Sequence, residues 1–159
     1  MKAVMYHYVR SFNENFPNFR YLNIENFKKQ LDYFENKFGF VSLDEWEKFV
    51  TDGFLPDIKG KVILTFDDSL SCHYSNVFRE LKKRNLWGIF YIATDPYTKG
   101  TMLSVHKVHS LCGKFSGTKL NNLMASIIED DMLHSDIKKD LKKNTYIKQK
   151  NNDGINNFK

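Results

Sequence analysis

The chain has 159 residues and carries a formal net charge of +5 at pH 7. That length suits one domain or part of a larger one, and an apolar content of 42% with 14 Phe and 8 Tyr excludes a disordered chain. The basic excess sits late, at Lys138, Lys139, Lys142, Lys143, Lys148 and Lys150, which is the pattern of a solvated helix face or tail and argues against a nucleic-acid partner.

The first residues, Met1-Lys2-Ala3-Val4-Met5-Tyr6-His7, lack the apolar run and small-residue cleavage site of a signal peptide. No window reaches the roughly 18 apolar residues of a membrane span. Cys72 and Cys112 have neither metal-ligand spacing nor the pairing of a disulfide framework. The expected location is therefore the cytoplasm, with reduced thiols and no membrane partner.

In chain order, Ala3–Val9 reads as a short aromatic strand, followed by an Asn-rich loop from Arg10 to Arg20. Ile24, Phe27, Leu31, Phe34 and Phe38 recur at helical spacing, with Asn23 as N-cap and Gly39 as the stop. Ser42-Leu43-Asp44-Glu45 is a capping-box pattern that opens a second helix, which Gly53 ends. Lys61–Phe66 is a continuous β-prone run and predicts a buried parallel strand. After a loop, Tyr74, Val77, Phe78 and Leu81 mark a helix, and Gly88–Thr94 predicts another strand. This strand–helix–strand succession predicts an α/β fold with a parallel sheet. Asp95–Thr101 reads as a loop, and Ser104 opens a short helix closed by Gly113. Leu120–Ile128 and Ser135–Lys143 read as further helices.

Asp67 and Asp68 follow the buried strand directly, at the strand end where parallel α/β folds place their ligands. Two adjacent carboxylates repel, and a metal ion or a shared proton relieves the repulsion. The same dipeptide also suits a plain turn with a helix N-cap. His7, at the end of the first strand, and His73 both fall near the pair.

Leu64-Thr65-Phe66-Asp67-Asp68 resembles the first motif, Thr-Phe-Asp-Asp-Gly, of the polysaccharide deacetylases, the NodB-homology family also known as carbohydrate esterase family 4. Met5-Tyr6-His7-Tyr8-Val9 is similar to the first strand of that family. Phe27, Gln30 and Leu31 are similar to its preceding helix, and Gly88-Ile89-Phe90-Tyr91-Ile92-Ala93-Thr94 to its second strand. The resemblance covers roughly residues 3–95. It implies metal-dependent hydrolysis that removes an acetyl group from an N-acetyl sugar or glycan. Asp67 would be the catalytic base and Asp68 a ligand to a divalent metal, zinc by family habit. The substrate would be an acetylated carbohydrate.

The chain departs from the family pattern at three places. Ser69 stands where the motif has glycine, so a turn requiring positive φ would cost about 1–2 kcal/mol. The family's paired histidines are four residues apart on a later strand end. His106 and His109 are three apart and only eleven residues beyond Thr94, which predicts ordinary histidines on an inserted helix. The later family segments have no match before Lys159. The expectation is therefore a truncated partial (β/α) barrel of the polysaccharide-deacetylase type with a helical C-terminal segment. Residues 1–103 would form its N-terminal part, 104–145 a helical insertion or linker, and 146–159 a polar, disordered tail. Unfinished sheet edges would invite association. The alternative is a non-catalytic remnant that binds sugar or a partner chain. A haloacid-dehalogenase-like phosphatase ranks below both, because it requires Asp-x-Asp.

Overall fold

Five consecutive apolar or β-branched residues, Val62-Ile63-Leu64-Thr65-Phe66, need cover on both faces, and the fold is organised around supplying it. The computed structural model describes residues 1–53 and 58–127. Strand β1 (Lys2–Tyr6) and strand β4 (Val62–Phe66) pair in parallel, with Lys2 opposite Val62 and Tyr6 opposite Phe66. Strand β5 (Ile89–Phe90) pairs in parallel on the other side of β4, giving the order β1-β4-β5. All five residues of β4 are buried, as expected of a central parallel strand. A second parallel pair joins β2 (Val9–Arg10) to β3 (Leu22–Asn23).

One face of β4 presents Val62, Leu64 and Phe66 to the main core, with Tyr6, Val9, Phe27, Leu31, Val77 and Leu81. Helix α1 (Ile24–Lys37) contributes Phe27 and Leu31 at helical spacing. Asn23 caps it by accepting from the Glu25 amide, and Gly39 leaves it at φ +70°. The Gly39 carbonyl then accepts from Val62 N, tying the end of α1 to β4. On the opposite face, Ile63 joins Val41 and Ile58, covered by Trp46, Phe49, Trp87 and Ile89. Trp46 and Phe49 come from α2 (Leu43–Asp52), which opens on the expected Ser42/Glu45 capping box and stops at Gly53 in the left-handed region.

Beyond β4 the chain makes a π-helical stretch, His73–Phe78, that runs into α3 (Arg79–Lys83). The wider turn changes which residues face inward. Val77 and Leu81 are buried, whereas Tyr74 and Phe78 are exposed, although regular helical spacing puts all four on one face. Gly88 precedes β5 because a Cβ there would lie 2.8 Å from the Phe66 ring.

The chain continues through α4 (Asp95–Lys99), α5 (Ser104–Lys114) and α6 (Gly117–Ile127). Met1–Ser116 form one compact unit, and a second begins at Gly117. Four sequence expectations change. Asp95–Thr101, read as a loop, contains helix α4. The strand expected over Ala3–Val9 divides, because Tyr8 O accepts from Leu22 N and leads the chain into the β2–β3 pair. Of Gly88–Thr94, Ile89–Phe90 alone form a strand. Gly113 lies inside α5 and does not close it. The expected helix at Ser135–Lys143 and the tail at 146–159 lie outside the described residues. The described strands are α/β in class, with small parallel sheets.

Candidate active site

The β1–β4 ladder runs one residue past β4, where Asp67 N donates to Tyr6 O at 3.0 Å. That bond fixes the backbone of Asp67 against the end of β1. The next two residues are left-handed, Asp68 at φ +76° and Ser69 at φ +51°. Ser69 thus adopts the backbone angle that favours glycine, and its hydroxyl donates to Tyr91 O at 3.4 Å. The turn keeps its shape at a strain of about 1–2 kcal/mol.

Both carboxylates come within reach of His7, with side chains 27% and 25% exposed. Asp67 Oδ1 is buried and has no hydrogen-bond partner among the described residues. Asp68 Oδ2 accepts from His106 Nε2 at 3.1 Å. His7 Nε2 lies 3.9 Å from Asp67 Oδ2 and 3.8 Å from Asp68 Oδ2. Four residues separated by up to 99 positions therefore meet at the end of β4. The sequence placed Asp67, Asp68 and His7 there, but it read the helix carrying His106 as an insertion. Instead α5 delivers His106 to the carboxylate.

His73 holds His7 from behind. It is buried between the Phe66 and Phe90 rings, and its Nε2 donates to the His7 carbonyl at 2.6 Å. Burial pushes its pKa below the ordinary histidine value. Protonation would also create an N–H at Nδ1, which is buried and faces no partner among the described residues. Burial therefore disfavours the charged form of His73 in the folded chain, whereas unfolded histidine titrates near about 6.5. Between that value and the lowered folded pKa, the unfolded chain binds more protons, so stability declines as pH falls through this window. Urea unfolding at successive pH values is expected to show a drop below about pH 6.5 that is smaller in His73→Gln. Equal drops in the two proteins would remove His73 as its source.

His109 lies one helical turn beyond His106, and its Nδ1 is 3.1 Å from the Tyr8 hydroxyl. The Tyr8 ring packs edge-on against Phe19 at 4.7 Å, and Phe19 touches Gly113 of α5. The sequence assigned Tyr8 and Phe19 no part at the site, and read Gly113 only as the stop of this helix. The available signal was an aromatic-rich loop, Phe12, Phe16 and Phe19, without strand or helix periodicity.

The donor set bears on the metal that the sequence resemblance implies. Neighbouring ligand atoms of a tetrahedral zinc with bonds of about 2.0–2.1 Å stand roughly 3.3 Å apart. The Asp68–His106 contact is close to one such edge, and carboxylate oxygen with imidazole nitrogen is a zinc-compatible pair. Among the described residues no three His, Cys, Asp or Glu side chains are gathered tightly enough to hold an ion. A third protein ligand would have to come from the flanking His7 or His109.

A groove of about 480 Å³ opens beside the pair, lined by Asp68, Ser69 and His106 and by Pro96, Tyr97 and Thr101 across from them. Among the described residues no helix is long and apolar enough to cross a membrane.

No protein-family model matches this sequence, and no curated protein matches it. Solved structures similar to it include two described by name. IcaB from Ammonifex degensii is 29% identical, with a TM-score of 0.44 over 59% of this chain and 39% of that one. The Streptococcus pyogenes deacetylase PplD, solved in complex with acetate, is 25% identical, with a TM-score of 0.49 over 70% of this chain and 52% of that one. The chain thus spans about half the length of PplD and less of IcaB.

Proposed function

We propose that this chain is the carboxylate-bearing part of a metal-dependent carbohydrate deacetylase of the polysaccharide-deacetylase type. The observation that carries the reading is the unequal treatment of two adjacent carboxylates: Asp68 is engaged by His106, while Asp67 keeps a buried oxygen without a partner. One group is thereby suited to holding a cation and the other to accepting a proton.

In this reading Asp68 and His106 would hold a divalent cation, zinc by preference, in place of the proton now shared between them. When bound, that cation supplies Lewis-acid polarisation of the acetyl carbonyl and a more acidic attacking water. The Asp67 carboxylate, whose side chain is 27% exposed, would take the proton of the water that adds to the carbonyl carbon. The carbon–nitrogen bond then breaks, the nitrogen leaves with a proton, and the products are acetate and an amino sugar. The exposed ring of Tyr97 offers a sugar an apolar stacking face in the groove, and Ser69, Ser71 and Thr101 offer hydroxyls.

The test is acetate release from N-acetylated oligosaccharides by the full chain. Release is expected with zinc, is expected to vanish with a chelator, and is expected to return when zinc is restored. Release that persists without metal would sink the cation's part in the reaction. The second reading is a remnant that binds sugar without turning it over. The three-stranded sheet formed by the described residues favours it, being smaller than a closed barrel. Stoichiometric zinc and sugar binding without acetate release would select it.

A further inference from the structure

A second groove, of about 610 Å³, takes no part in the chemistry above. It is lined by Arg10–Asn15 and, from the helix that follows β4, by Ser71, Ser75 and Asn76. Its size falls within the range of about 300–1,000 Å³ that holds small organic ligands. A cleft of about 180 Å³ connects it with the carboxylate groove. Tyr8 and Arg10 line both the second groove and the cleft. Met102 and His106 line both the cleft and the carboxylate groove, and Leu70 borders all three.

Arg10 stands where the second groove meets the cleft. Its backbone belongs to β2, opposite Asn23. Asn76 ties that strand to the helix by donating to Val9 O at 2.9 Å. The guanidinium lies 5.4 Å from the centre of the Phe19 ring, so the side chain starts from a braced strand and rests beside an aromatic face. It is half-buried. Among the described residues it forms no ion pair, whereas Arg84 is paired with both Asp32 and Glu80. Burial pushes up the Cys72 thiol and the Tyr8 phenol, and the Arg10 charge opposes both shifts. Glu14 also lines the second groove, but it is exposed and does not line the cleft.

A half-buried guanidinium without a counter-charge is costly. Its planar fork matches a carboxylate or a phosphate through two parallel hydrogen bonds. The hydroxyls of Ser71 and Ser75 and the exposed ring of Phe12 suit the uncharged remainder of a sugar. We propose that Arg10 binds an anionic substituent on the sugar next to the one held at the carboxylates, so that the substrate is an acidic N-acetylated oligosaccharide. This rests on the deacetylase reading above and deepens it by naming the charge of the substrate. A carboxylate and a phosphate ester share the required chemistry.

The test reads binding by calorimetry and does not depend on turnover. The full chain is titrated with N-acetylated tetrasaccharides that differ at one unit, which is neutral, carries a uronic carboxylate or carries a phosphate ester. The native protein is expected to bind an acidic form about tenfold or more tighter than the neutral form, with a preference that fades as salt rises. In Arg10→Gln the preference should shrink to within about twofold, while affinity for the neutral form stays within a few-fold. Arg10→Lys keeps the charge and should retain a few-fold preference. The stronger acidic ligand supports the site and identifies the anion. Equal affinities in the native chain, a preference that survives Arg10→Gln, or no binding of any of these ligands would overturn the proposal. Should Arg10→Gln fail to fold, a native preference unchanged between low and high salt overturns it instead. Acetate release from the same ligands separates the two readings. Selective binding without release leaves the Arg10 site standing and fails the deacetylase reading, whereas release without preference does the reverse.

Discussion

Asp67→Asn is expected to reduce acetate release by about 10²–10⁴-fold while leaving zinc affinity within a few-fold of the native value. The substitution preserves size and leaves the backbone bond from Asp67 N to Tyr6 O in place. What it removes is a negatively charged oxygen able to accept a proton. Asp68→Asn should behave differently. It weakens the group engaged by His106, so zinc affinity and acetate release are expected to fall together. Calorimetric zinc titration alongside an acetate assay separates the two variants. If Asp67→Asn lost zinc and Asp68→Asn kept it, the roles would have to be exchanged. If both variants kept full turnover, the carboxylate pair would be structural.

Gly113→Ala is expected to destabilise the protein, against the ordinary preference for alanine in helices. Inside a helix the change should gain roughly 1 kcal/mol from backbone entropy. At this position the new Cβ would stand 2.4 Å from Phe19 Cδ2 and 2.9 Å from Phe19 Cβ. The second contact is close to the backbone and cannot be relieved by swinging the ring tip. Overpacking of this kind costs about 1–3 kcal/mol. The neighbouring bond from Asn18 N to Gly113 O, at 2.9 Å, resists separation of the loop from the helix. The melting temperature is expected to fall by several degrees. Zinc affinity should also fall, because α5 carries both His106 and Gly113. A higher melting temperature would mean that the loop is not packed on the helix at Phe19.

The parts of this fold legible in the sequence are those set by local rules. Ser42 and Glu45 announce a capping box because both halves lie within one turn. Asn23 and Gly39 bracket α1 for the same reason. Val62–Phe66 reads as a central strand because cover on both faces leaves no polar alternation. Asp67 and Asp68 are recognisable because they follow that strand without a gap. The remainder depends on distant partners. The aromatic stretch at Tyr6–Val9 looks like one strand, and its division depends on Leu22. The apolar run after Gly88 looks like a seven-residue strand, yet Tyr91 and Ile92 are largely exposed and only two residues extend the ladder. The value of His106 was hidden by its spacing from His109. A spacing rule taken from one backbone geometry does not carry over to α5, where Tyr8, rather than the helix alone, meets the second histidine.

The assembly of His7, Asp68 and His106 bears on how this cluster is made and lost. The contact between His106 and Asp68 spans 38 residues, and that between Tyr8 and His109 spans 101. Closing loops of such length costs chain entropy. During synthesis both aspartates emerge well before the imidazole that completes their surroundings, so a half-made chain carries the carboxylates without the site. In the finished protein, α5 meets the carboxylates through His106 and the rest of the unit through Tyr8, Phe19 and Asn18. Loosening that one helix would disarm the centre while β4 and its core remained folded.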